Sequence, residues 1–270
     1  MDSKNLAKKV RKHVLRMTST GKSSHVGSAL SIADILAVLY STMSIFPDDP
    51  KNAKRDRFIL SKGHAGAAVY AVLAESGFFD VDVLKEHYQN GSILSGHVSH
   101  KGVPGVEFST GSLGHGLSVA AGMALAAKRR GYDFQTYALL SDGELDEGSN
   151  WEALLFAPHH KLNNLSCIID YNKLQSLTST HETLNLEPLV DKLIAFGWNV
   201  IEIDGHDHEQ IKNAIETISN EPKFILAHTT KGKGVSFMEN QVVWHYRSAS
   251  EVELTEAIKE IEDNSWEMHL

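Results

Sequence analysis

The chain has 270 residues, 42% of them apolar, enough to bury a full core in one large domain. Its formal charge is −8 at pH 7, with lysines and arginines scattered rather than clustered, which argues against a nucleic-acid partner. No apolar run approaches the roughly 18 residues that span a bilayer, the amino terminus lacks the apolar centre of a signal peptide, and one cysteine cannot form an internal disulfide, so a cytoplasmic protein without membrane contact is expected.

In chain order, apolar residues at helical spacing predict helices over 5–19, 32–43, 64–75 and 116–130, with a crossover helix over 150–163. Short β-rich runs without polar alternation fall at 57–61, 136–141, 165–170, 198–204 and 223–229, and they predict strands buried on both faces. Cys167 reads as an apolar residue of the third run. Helices alternating with such strands predict an α/β fold: a doubly wound, mainly parallel sheet with helices on both faces. Its ligand site belongs outside the carboxyl ends of the strands. One domain is expected over 1–250, and the polar stretch 251–270 reads as an added helix or tail.

Two strand ends carry related polar groups. "TYALL" leads into the turn "SDGE" with Asp142, and "LSCIID" leads into "YNKLQ" with Asn172. A right-handed crossover makes these strands neighbours, so both groups emerge at one sheet edge. One aspartate, one asparagine carbonyl and a main-chain carbonyl suit a hard cation such as magnesium, which takes few protein carboxylates and fills its remaining positions with water and phosphate oxygens. Gly143 allows close approach of a phosphate.

The turn, the gap of thirty residues and the asparagine resemble the thiamine diphosphate signature, GDG followed by N, with Ser141 in place of the first glycine. "DGELDEGSNWEA" resembles transketolases in particular, as do "SSHVGSALS", "LSKGHAG", "SGHVSH", "STGSLGHG" and "KGKGVSFMEN". The resemblance runs from about residue 5 to residue 247 and implies the diphosphate-binding module of the thiamine diphosphate-binding fold.

What the resemblance implies for the site is specific. Asp142, Asn172 and the carbonyl of Leu174 would hold magnesium, or calcium or manganese in its place. Ser28, His64, Gly111, Ser112, Leu113, Asp142, Gly143, Glu144, Asn172, Ser176, Lys231 and His245 would bind thiamine diphosphate. His25, His64, His97 and His245 would bind sugar hydroxyls and shuttle protons while a two-carbon ketol unit passes from a ketose or ketose phosphate to an aldose. Glu147 and Glu152 would lie at a dimer contact, with Trp151 in the core or at that interface. Tyr246 and Arg247 stand where the family usually has Gly-Lys, and the proline that commonly follows the family's histidine is missing after His25 and His97, so an unusual sugar is expected.

The resemblance covers only the amino-terminal half of an ordinary transketolase. The carboxylate that must hydrogen-bond the cofactor's pyrimidine ring belongs to the other half, and no stretch here resembles it. A separate C-terminal subunit carrying the pyrimidine-binding domain is therefore expected, in an α2β2 heterotetramer. Two other readings remain open at this point: the α subunit of a thiamine-dependent 2-oxo acid dehydrogenase, and a non-catalytic regulatory or scaffolding subunit.

Overall fold

A computed structural model describes residues 2–263. Helices are α1 (Ser3–Gly21), α2 (Val26–Leu30), α3 (Ala33–Thr42), α4 (Gly66–Glu75), α5 (Gly116–Arg130), α6 (Gly148–His159), α7 (Thr180–Thr183), α8 (Leu189–Phe196), α9 (His208–Glu216) and α10 (Glu251–Asp263). Strands are β1 (Arg57–Leu60), β2 (Thr136–Ser141), β3 (Leu165–Tyr171), β4 (Asn199–Asp204) and β5 (Lys223–His228), paired in parallel in the order β1-β2-β3-β5-β4. Every expected strand forms within a residue or two of its expected limits.

Alternate residues of each strand serve opposite faces, as a pleated strand requires. Phe58, Leu60, Tyr137, Leu139, Ile168 and Ile225 join the cluster built with α1, α3, α4 and α9. Ile59, Ala138, Leu140, Cys167, Ile169, Phe224 and Leu226 join the cluster built with α5, α6 and α8. Helices thus cover both faces, and each fully buried Leu or Ile stabilises the fold by about 1.5–3 kcal/mol. Cys167 is 0% exposed, and burial pushes its thiol well up, so it is an inert apolar residue.

Two features depart from the sequence reading. β4 is not buried on both faces: of its residues only Ile203 is buried, because β4 is the last strand and has a neighbour on one side only. Between α4 and α5 the chain runs about forty residues with no strand and one 3-10 turn, Val81–Glu86. This long connection is ordered by burial of Leu94, Val98 and Val103 and by backbone bonds such as Val98 N–H to Gly63 O at 2.9 Å. The tyrosine hydroxyl of Tyr70 both donates to His97 O (3.0 Å) and accepts from Ser99 N–H (2.9 Å), which places His97 beside the strand ends.

The helix expected after residue 250 forms as α10. It buries Ala257 and Ile261 in the first cluster, Ser236 N–H donates to Glu260 at 2.6 Å, and Lys12 pairs with Glu262 at 3.3 Å. The expected tail beyond residue 263 lies outside the described residues.

Candidate active site

Adjacent pairing of β2 and β3 sets Ser141 opposite Asp170 and carries Asp142 and Asn172 out at the same sheet edge. Asp142, 1% exposed, accepts from Gly143 N–H at 2.7 Å and from Lys173 N–H at 2.5 Å. Lys173 reaches that position with φ 63°, in the left-handed region, so the bond holds its backbone against a local preference. Asn172 donates its amide to Asp170 (3.0 Å), while its carbonyl oxygen accepts from Leu174 N–H (3.1 Å) and keeps a second lone pair.

Both groups line an open cleft of about 280 Å³ at the carboxyl ends of the strands. Its walls also include His25, Ser28, His64, His97, Gly111, Leu113, Gly143, Leu174, Ser176, Lys231 and His245. Of the residues singled out in the sequence, Ser112 and Glu144 are absent from the wall. Ser112 is exposed, and Glu144 is 0% exposed behind the cleft, where its carboxylate accepts from the Ser61 hydroxyl and from Gly114 N–H (2.8 Å). Glu144 therefore ties the β1, β2 and α5 loops together. Ser141 ends β2 within the strand ladder and lies outside the left-handed region, so replacing the usual glycine strains nothing there.

Four imidazoles converge in this cleft. The ring of His25 lies 4.9 Å from that of His245, 5.1 Å from His64 and 5.6 Å from His97. His25 heads α2 with φ 75° and donates its N–H to His245 O at 2.8 Å. A non-glycine residue held there is strained, and such strain persists where surrounding structure over-determines the geometry. Burial, aided by neighbouring positive charge, lowers the His25 pKa to about 4 and the His245 pKa to about 3, and it holds His64 well below the usual imidazole range. These three rings are neutral at pH 7, able to accept and donate hydrogen bonds.

Several groups that the sequence reading passed over support the site. Lys62, 1% exposed, forms an ion pair with the fully buried Asp170 and donates to Ser28 O at 3.1 Å. Asp170 also accepts from the hydroxyls of Ser31 (2.6 Å) and Thr229. Burial would raise the Asp170 pKa, but Lys62 and these bonds hold it below the ordinary value. Gln175 and Tyr246 complete the wall. A charged residue at the end of an otherwise apolar strand, as in "LSCIID", was the available signal for Asp170.

The donor set fits the expected ligands. One carboxylate, one amide oxygen and one main-chain carbonyl suit an octahedral cation that keeps waters and phosphate oxygens. Lys62 and Lys231 supply positive charge beside them for an anion. Burial and the charge of Asp170 raise the Asp142 pKa to about 7, the response of a carboxylate placed for a counter-cation. Among the described residues no group of three or more His, Cys, Asp or Glu could hold a metal, which leaves this mixed set as the candidate.

Such a crevice at the carboxyl tips of a parallel sheet defines an α/β module for a metal-bound diphosphate. The family domain described as transketolase, thiamine diphosphate binding domain, matches residues 2–264. One of the two polypeptides of apulose-4-phosphate transketolase from Phocaeicola vulgatus is 42% identical over 261 residues, covering 95% of this chain and 92% of that protein. The 6-deoxy-6-sulfo-D-fructose transketolase subunit SqwG of a Clostridium species is 41% identical, covering 97% of each. The solved structure of transketolase from Campylobacter jejuni superposes with a TM-score of 0.91 at 34% identity, over 96% of this chain and 42% of that one. The chain belongs to the transketolase family of transferases, and it corresponds to the N-terminal, thiamine diphosphate-binding subunit of the family's two-subunit members. The 2-oxo acid dehydrogenase and scaffold readings are not favoured.

The lowered imidazole pKa values have a consequence for stability. His87, 2% exposed, is likewise lowered to about 4 by burial. His25, His64, His87 and His245 bind fewer protons folded than unfolded, where the ordinary value is 6.5, so their contribution is complete above that pH and is lost as pH falls toward 4. Asp142 alone opposes this window. Thermal unfolding of the metal-free chain is expected at lower temperature at pH 5 than at pH 7; an equal or higher midpoint at pH 5 would contradict the assignment.

Proposed function

We propose that this chain is the metal- and diphosphate-binding half of a two-chain transketolase acting on a ketose or ketose phosphate donor and an aldose acceptor. In this reading Asp142, Asn172 and the Leu174 carbonyl hold magnesium, and Ser28, His64, Lys231 and Gly143 face the diphosphate. A second chain carries the pyrimidine-binding domain and its carboxylate, and two copies of each form an α2β2 assembly in the cytoplasm. No helix of the described residues is long and apolar enough to cross a membrane.

The observation that carries this reading is the convergence of the mixed oxygen donor set with four imidazoles and two lysines on one crevice. When bound, thiamine diphosphate supplies the electron sink that allows the carbon–carbon bond beside a ketose carbonyl to break. The chain's own residues do the rest. Neutral His25, His64 and His245 orient hydroxyls and hold or release protons at them, and Lys231, its pKa lowered to about 8 chiefly by burial, remains mostly cationic at pH 7 for the anion. Exposed Glu147, Glu152, Leu155 and Phe156, beside half-buried Trp151, offer the face of α6 and the turn before it to another chain.

Mixing purified chain with the companion polypeptide, magnesium and thiamine diphosphate is expected to produce ketol transfer between a ketose and an aldose, while either chain alone is inactive. Full activity of this chain by itself, or none in any mixture with bound cofactor, would overturn the two-chain reading.

A further inference from the structure

Asp34, in the first turn of α3, is 1% exposed and does not line the cleft. Its carboxylate nevertheless accepts from three side chains. Arg11 donates Nη1 to Oδ1 (2.9 Å) and Nη2 to Oδ2 (2.5 Å), His206 Nδ1 lies 2.7 Å from Oδ2, and His208 Nε2 lies 3.1 Å from Oδ1. Burial would raise this carboxyl's pKa, but Arg11 and the two imidazole bonds hold it well below the usual range, so the centre stays charged.

The far sides of two of these partners reach one loop. His206 Nε2 accepts from Thr230 N–H at 2.8 Å. A backbone N–H can only donate, so Nε2 is unprotonated and the ring's hydrogen sits on Nδ1, directed at Asp34. Arg11 Nε donates to Lys233 O at 3.1 Å. The segment from Thr230 to Lys233 is therefore suspended at both ends from one buried carboxylate.

Lys231 lies between those two ties. Its ammonium donates to Leu174 O (3.1 Å) and Gln175 O (3.2 Å) and lies 3.2 Å from His245 Nδ1. No strand or α-helix fixes this stretch after β5, and Gly232 within it turns at φ 82° where a Cβ would meet Met238 O at 2.4 Å. A four-carbon side chain reaches three acceptors only if its Cα is held still. The tie from outside the cleft does that holding.

We infer that His206 is a positioning residue for Lys231: as a neutral relay between Asp34 and the Thr230 amide, it sets the loop that delivers the lysine to the cofactor pocket. Arg11 sets the other end of the same loop. This inference rests on the cleft being the thiamine diphosphate site, and its structural half can be read without that ligand.

The test uses His206→Phe, which keeps ring shape and removes both bonds, and His206→Gln, which can still donate and accept. In the two-chain complex, calorimetric titration with thiamine diphosphate and magnesium is expected to show about tenfold weaker binding for H206F, with much of the loss restored in H206Q. Lys231→Met is expected to weaken binding by more than tenfold, and H206F/K231M to bind no more weakly than K231M alone. Wild-type affinity in H206F, or independent multiplication of the two losses in the double variant, overturns the inference. If the unaltered complex binds no thiamine diphosphate, the functional reading fails separately. Amide exchange then decides the relay: faster exchange confined to residues 229–234 in H206F supports it, and unchanged exchange there overturns it.

Discussion

Asp142→Asn is expected to reduce magnesium-dependent binding of thiamine diphosphate by more than about 100-fold while leaving the cofactor-free fold at least as stable. The substitution keeps the shape of the side chain and removes the single carboxylate of the proposed cation site. Asparagine has one oxygen, so one of the bonds from Gly143 and Lys173 is lost, at about 1 kcal/mol. Against that stands relief of a buried charge beside Asp170. Because the folded pKa is raised to about 7 from an ordinary 3.8, the wild-type protein loses stability as pH rises through that interval, and the loss levels off above it. The stability of D142N relative to wild type should accordingly increase between pH 5 and pH 8, as followed by denaturant unfolding without magnesium. Calorimetry measures the binding loss; retention of cofactor by D142N at wild-type affinity would remove the metal assignment.

Lys62→Met is expected to destabilise the fold by about 3–5 kcal/mol, the usual consequence of leaving a buried charge without its partner. Lys62 is 1% exposed and Asp170 0%, and the lysine also satisfies Ser28 O. Methionine fills a similar volume, so the loss reports charge rather than a cavity. Asp170 would then face Asp142 with only neutral donors from Ser31, Asn172 and Thr229. The double variant K62M/D170N removes both charges and is expected to recover a large part of the stability. Equilibrium unfolding in urea with an unchanged slope tests this; a cost below about 1 kcal/mol for K62M would show that Asp170 is neutral or solvated.

Much of the architecture was legible because local pattern and global fold agree. Runs such as "TYALLS" and "LSCIID" are too apolar for anything but a doubly covered strand, and the interposed helix forces the parallel pairing that brings Asp142 and Asn172 together. Motif-bearing loops at 25–28, 61–64, 97, 111–113, 142–143, 172–176, 231 and 245 were legible for the same reason: topology sends every strand-to-helix loop to one edge, and the connecting segment of His97 is pinned there by Tyr70 and Gly63. The edge exposure of β4 was not legible, since a strand's composition does not say on which side it will find a neighbour.

Sequence by itself determined the alternation of strands and helices, the edge at which chemistry gathers and the oxygen donors placed there, because each depends on residues close in the chain or on periodicity. Tertiary structure alone decided that Lys62 neutralises Asp170, that Glu144 turns away from the cleft to brace three loops, and that Asp34 reaches Lys231 through His206. Those are pairings across 108, 30, 172 and 24 residues. Whether a charge or imidazole becomes a ligand, a brace or a relay depends on what low-dielectric surroundings and distant partners it meets, and no local spacing encodes that.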